Sequence, residues 1–92
     1  MKKTLFVCFY GRVQGVGFRF MVLRQANKLG LTGWVKNSHK YDEVEAVFCG
    51  EEKKILEIIN HFKSNPLLIR VDNVTITELN KSDDFKDFSV RY

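Results

Sequence analysis

The run Thr4-Leu5-Phe6-Val7-Cys8-Phe9-Tyr10 carries no charge and consists largely of aromatic and β-branched side chains. It is far too short to cross a membrane as a helix. Its composition is that of a strand covered on both faces, central in a sheet. The rest of the chain must therefore supply the neighbouring strands and the layer that packs on them.

Those elements follow in a regular order. Three glycines between Gly11 and Gly17 make a loop, and Phe18, Val22, Ala26 and Leu29 then repeat at helical spacing over about Phe18 to Lys28. Gly30 supplies a helix stop. Leu31 to Asn37 and Val44 to Cys49 read as two strands joined through Ser38 to Glu43. A second helix opens after Gly50 with Glu51 and Glu52, carboxylates at the positive end of its dipole. Ile55, Ile58, Ile59 and Phe62 give it an apolar stripe, and Ser64-Asn65-Pro66 ends it. Val71 to Leu79 is the next strand, with Val74 and Ile76 on one face, and Phe88 to Tyr92 closes the chain as a short one. The order β-α-β-β-α-β predicts an α+β sandwich of the ferredoxin-like type: an antiparallel sheet, two helices on one face and a short extra C-terminal strand. With 92 residues and no linker or repeat, residues 1–92 are expected to form one domain.

The charges are unevenly distributed. The net charge is +4, yet residues 1–40 hold eight Lys or Arg and no Asp or Glu, and all eleven acids follow Lys40. An uncompensated basic segment suggests an anionic partner. Met1-Lys2-Lys3 before an apolar run imitates a signal peptide, but the run is short and Gly11-Arg12 replaces a cleavage site. Cys8 and Cys49 lie in apolar runs without a CxxC spacing, which points to buried free thiols and a cytoplasmic protein.

The glycine loop gives the basic segment a chemical role. Glycines there permit positive φ and close backbone approach. The first N–H groups of the following helix have no internal partners and carry the positive end of its dipole. This is a cradle for an anion, phosphate above all. Arg19, in the first turn, opposes that dipole and is stabilised only if an anion lies between them or an acid from the second half pairs with it. A P-loop is excluded because no Lys-Ser/Thr follows Gly17, and a dinucleotide fingerprint because its third glycine position is Phe20. The acid-free segment offers no magnesium ligand, so phosphate chemistry there rests on arginine and backbone amides.

Gly11-Arg12-Val13-Gln14-Gly15-Val16-Gly17-Phe18-Arg19 and Gly33-Trp34-Val35-Lys36-Asn37 resemble the two signatures of the acylphosphatases. The similarity extends to Gly50, Asn65-Pro66 and Phe88 to Tyr92. The resemblance implies hydrolysis of small acyl phosphates to carboxylate and inorganic phosphate, with no metal, cofactor or covalent intermediate. It implies that Arg19 binds the phosphoryl group, that Gly15, Val16, Gly17, Phe18 and Arg19 cradle it, and that Asn37 holds the attacking water. Gln14 and Val16 would serve loop packing. One departure is visible: the hairpin Ser38-His39-Lys40-Tyr41-Asp42-Glu43 has no glycine and is one residue longer than usual. A monomer acting on a small acyl phosphate, inhibited by inorganic phosphate and binding neither nucleic acid nor membrane, is the expected form.

The chemistry agrees with those roles. A loose phosphoryl-transfer transition state spreads charge over three equatorial oxygens, which N–H donors and one planar guanidinium can match. An asparagine can orient water without adding a charge that repels phosphate. Standing alone, Asn37 would read as a turn residue at a strand end. His39 and His61 lack a triad or ligand spacing, and Trp34 is expected in the core. An RNA-binding sheet shares the strand order, but Val44 to Cys49 lacks its basic-aromatic pattern. A pure interaction or regulatory domain is the other alternative, and acylphosphatase-like domains also occur within larger carbamoyltransferases; a 92-residue chain with its own start and a terminal strand favours a stand-alone enzyme.

Overall fold

The computed structural model describes residues 1–15, 17–64, 70–80 and 85–92. Val16 and the Asn65-Pro66 turn expected from the sequence lie outside them. The elements are β1 (Lys2–Arg12), α1 (Phe18–Lys28), β2 (Thr32–Asn37), β3 (Glu43–Glu51), α2 (Glu52–Lys63), β4 (Arg70–Glu78) and β5 (Phe88–Arg91). The strands form one sheet in the order β4-β1-β3-β2-β5, so the apolar β1 is interior. The first four pair antiparallel, as the ferredoxin-like order predicts. β5 instead runs parallel to β2, which makes the sheet mixed rather than wholly antiparallel. Phe88 on β5 stacks on Phe48 of β3 at 5.5 Å, an inward anchor that fixes this edge.

Both helices cover the same face. Phe18, Val22 and Ala26 of α1 and Ile55, Ile58, Ile59 and Phe62 of α2 close over Leu5, Val7 and Phe9 of β1 and Val44, Ala46 and Phe48 of β3. At the centre, Phe9, Phe18 and Phe62 meet edge to face at centroid distances of 5.2, 6.3 and 5.0 Å. Each such contact adds about 0.5–1.5 kcal/mol beyond area burial. This trio joins β1 to the first turn of α1, which is what positions the loop between them.

Among the described residues no layer covers the outer face of the sheet, which corrects three expectations. Thr4 and Cys8 are buried there by neighbouring side chains, whereas Phe6 and Tyr10 are only half-buried. Cys49 is half-buried rather than buried, its sulfur 3.5 Å from the Thr4 hydroxyl; both cysteines are free. Trp34 stands on this face rather than in the core, with Arg91 and Lys36 5.1 and 5.8 Å from its ring centroid. β1 also outruns its apolar core. Gly11 and Arg12 belong to the strand, across a register shift against β4, rather than to the loop. β3 likewise continues through Glu51, whose carboxylate binds the N-terminal ammonium at 2.8 Å and is thereby held below its ordinary pKa.

Candidate active site

The ends of β1 and β2 point toward the N-terminus of α1, and the candidate residues gather there. Gly15 and Gly17 take φ of 75° and 77°, the left-handed region that side chains disfavour. A Cβ on either would meet no atom within 4 Å, so the backbone conformation, and not crowding, calls for glycine. Gly17 is the N-cap of α1 and offers no side-chain cap, and the first turn holds no acid. The first helical hydrogen bond visible beyond it runs from the Met21 N–H to the Gly17 carbonyl, 3.1 Å. The N–H groups of Phe18, Arg19 and Phe20 therefore open the helix without helical partners. Phe18 itself is fully buried in the aromatic trio and pins this turn to the core.

Arg19 is half-buried. Its Nη1 donates to the Arg91 carbonyl at 3.4 Å, and its guanidinium carbon lies 4.7 Å from the Tyr92 ring centroid. Among the described residues it pairs with no carboxylate. Four acids of the second half face cations elsewhere: Glu52 and Glu78 with Lys3, Glu45 with Lys36, and Asp72 with Arg70. The pairs around Lys3 sit at the opposite end of β1 and raise its pKa through the Glu52 hydrogen bond first.

Arg91 pairs across the sheet with Lys36, the residue before Asn37, which brings Arg19 and Asn37 to one end of the molecule. Asn37 closes β2 opposite Val44. Its Oδ1 is buried and has no hydrogen-bond partner, the one such side-chain atom among the described residues. Burying a polar atom in this way costs about 1–3 kcal/mol, so it invites explanation by function.

Sequence reasoning missed one feature and gave another, Gln14, only a place in loop packing. Arg91 and Tyr92 hold the arginine, although the C-terminal strand carries no sign of where it docks. Gln14 reaches out of the loop to the β2–β3 hairpin, where its Nε2 lies 2.7 Å from the Lys40 and Glu43 carbonyls and 3.3 Å from that of Ser38. Those partners are 24 to 29 residues away, and nothing local announces them. His39 is exposed on the hairpin, and His61 lies on α2 against Phe62 at 4.9 Å. No three His, Cys, Asp or Glu side chains gather at metal-binding distance among the described residues. Nor is any described helix long and apolar enough to span a membrane.

The acylphosphatase family pattern matches residues 5–90. The chain belongs to the acylphosphatase family. An acylphosphatase of Caldivirga maquilingensis is 44% identical over 82 residues, 89% of this chain and 86% of the relative. The crystal structure of the Bacillus subtilis acylphosphatase superposes with a TM-score of 0.89 at 33% identity, covering the whole of both chains. The fold also occurs inside a larger protein: full-length HypF, in its phosphate- and nucleotide-bound form, matches with a TM-score of 0.85 and 32% identity. This chain then covers 12% of HypF. The Bacillus subtilis acylphosphatase thus matches from end to end, while HypF contains a matching part.

Proposed function

We propose that the chain hydrolyses the carboxyl–phosphate anhydride of small acyl phosphates without a metal or a covalent intermediate. Arg19 and the backbone amides from Gly15 through Arg19 would bind the phosphoryl oxygens, and Asn37 would hold the attacking water. Family membership supports acyl phosphate hydrolysis. The observation that carries the finer reading is Arg19: a cation in the first turn of α1, against the dipole, with no carboxylate partner among the described residues. A phosphoryl group between the guanidinium and the helix amides turns that opposition into attraction on both sides.

The chemistry then proceeds in one displacement. The water oxygen attacks phosphorus opposite the acyl oxygen, the new P–O bond forms as the anhydride P–O bond breaks, and the carboxylate departs with the bonding electrons. The water proton passes to solvent or to the product phosphate. A carboxylate is a good leaving group, so no strong general acid is called for. The fixed donors answer charge on the equatorial oxygens and need no reorganisation as that charge develops. The buried, unpartnered Asn37 Oδ1 supports the remaining role, because an acceptor there can take a hydrogen bond from the attacking water and aim its lone pair. The RNA-binding alternative is weakened by Trp34, both of whose neighbours on the open face are cations already turned onto its ring. The two free thiols fit an enzyme of a reducing, cytoplasmic compartment.

The test is hydrolysis of benzoyl phosphate in the presence of EDTA. Turnover that ignores the chelator and is competitively inhibited by inorganic phosphate is expected. Full activity retained by Arg19→Gln would sink the phosphate-binding role.

A further inference from the structure

We infer that Gln14 is a positioning residue that clamps the phosphate loop to the hairpin after Asn37, so that loop amides and Asn37 keep one relative geometry. The kinetic part of this inference rests on the function proposed above; the clamp itself does not. Gln14 directly precedes Gly15, and Ser38 directly follows Asn37, so one side chain ties together the two segments that carry the candidate site.

The geometry shows how firmly. The Gln14 amide nitrogen approaches three carbonyl oxygens of one hairpin: Lys40 and Glu43 at 2.7 Å and Ser38 at 3.3 Å. An amide has two N–H donors, so the two short contacts are full hydrogen bonds and Ser38 shares a proton with one of them. The hairpin's own backbone bonds are longer, 3.2 Å from the Ser38 N–H to the Glu43 carbonyl and 3.3 Å from the Glu43 N–H to the Lys40 carbonyl. The Ser38 hydroxyl adds a 2.7 Å bond to the Glu43 carboxylate, and the Gly11 N–H reaches the Asp42 carbonyl at 2.8 Å. His39, Lys40, Tyr41 and Asp42 are exposed and anchor nothing in the core. A hairpin that is long, glycine-free and uncovered is thus held from outside its own turn, chiefly by Gln14.

The experiment is a double-mutant cycle on benzoyl phosphate hydrolysis with a hydrogen-exchange readout beside it. Gln14→Met keeps the side chain's length and removes both donors. It should lower kcat by ~10–100-fold, the scale of a misplacement near 1 Å, while the inhibition constant for inorganic phosphate moves far less. In an Asn37→Ala background the same change should leave kcat nearly unaltered, because the residue it positions is gone. Equal fold-losses in both backgrounds would overturn the inference. Gln14→Lys offers three donors to three carbonyls and should recover most of kcat. Gln14→Glu sets an acceptor against those oxygens and should regain activity relative to wild type as pH falls and the carboxyl is protonated. A pH-independent ratio for Gln14→Glu would make the role one of packing alone and refute the clamp. If Gln14→Met does not fold, the lysine and glutamate variants decide the matter. Exchange at the Ser38, Glu43 and Gly11 amides should accelerate in Gln14→Met. Faster exchange in a chain whose wild type hydrolyses no acyl phosphate would uphold the clamp and sink the functional reading. Unchanged exchange and unchanged kcat in an active enzyme would do the reverse.

Discussion

Replacing Arg19 by methionine separates the structural cost of the proposed phosphate-binding cation from its use. Methionine keeps the unbranched stem and a good helix propensity while removing the guanidinium. Two terms set the effect on stability. Loss of a cation from the first turn of α1 relieves repulsion by the helix dipole, a gain of about 0.3–1 kcal/mol. Loss of the contact with the Tyr92 ring, at 4.7 Å and near the surface, costs about 0.5–1 kcal/mol. The 3.4 Å bond to the Arg91 carbonyl is long and adds little. The two terms offset each other, so unfolding free energy should change by less than about 0.7 kcal/mol. Catalysis should respond very differently, because a donor aimed at transition-state charge is worth about 100- to 1,000-fold in kcat. Ligand-linked unfolding supplies an independent reading. Inorganic phosphate at about ten times its dissociation constant should stabilise the wild type by about 1.4 kcal/mol. For a domain of this size that corresponds to a rise in Tm of several degrees. Arg19→Met should show almost none of that rise at the same concentration. A variant that unfolds easily and binds phosphate normally would refute the reasoning, for the guanidinium would then be structural.

Three further outcomes are expected. Gly17→Ala has open space for its Cβ but must hold φ near 77°, so it should lose about 1–2 kcal/mol of stability and weaken phosphate inhibition as the cradle relaxes. Deleting Tyr92 removes the ring beneath Arg19 and should raise KM and the phosphate inhibition constant more than it lowers kcat, measured on benzoyl phosphate. Burial pushes the Cys8 thiol above its ordinary pKa, so the unfolded chain ionises first. The contribution to stability is complete below the ordinary thiol range and is lost as pH rises toward the folded value. Tm should fall through that alkaline interval, and Cys8→Ala should flatten the slope.

Much of this architecture was legible because it obeys periodicity. The uncharged run from Thr4 to Tyr10 marked an interior strand, and the stripes of Phe18, Val22 and Ala26 and of Ile55, Ile58, Ile59 and Phe62 marked two one-sided helices. What periodicity does not report is which face of a strand meets the second layer. Trp34 and Cys49 were therefore expected inside, although their strands turn Val35 and Phe48 inward and leave them on the open face. Gly11 looked like the start of a loop, since a glycine that continues a strand through a register shift is indistinguishable from a turn glycine by sequence. The parallel pairing of β5 depends on a stacking partner, Phe48, forty residues upstream. The candidate site divides the same way. Gly15, Gly17 and Arg19 suggest the proposed phosphate cradle by local chemistry alone, because backbone freedom and a dipole are local properties. Asn37 gains its meaning from a buried oxygen without a partner, and Gln14 from carbonyls on a distant hairpin. Both are products of tertiary structure.

Direct attack of water on phosphorus is the centre of the account, and one labelling experiment addresses it. Benzoyl phosphate is turned over once by excess enzyme in heavy-oxygen water with EDTA present, and both products are weighed by mass spectrometry. The arrangement of Arg19, the loop amides and Asn37 predicts one heavy oxygen in inorganic phosphate and none in benzoate. Label in benzoate would place the attack on the acyl carbon and contradict it.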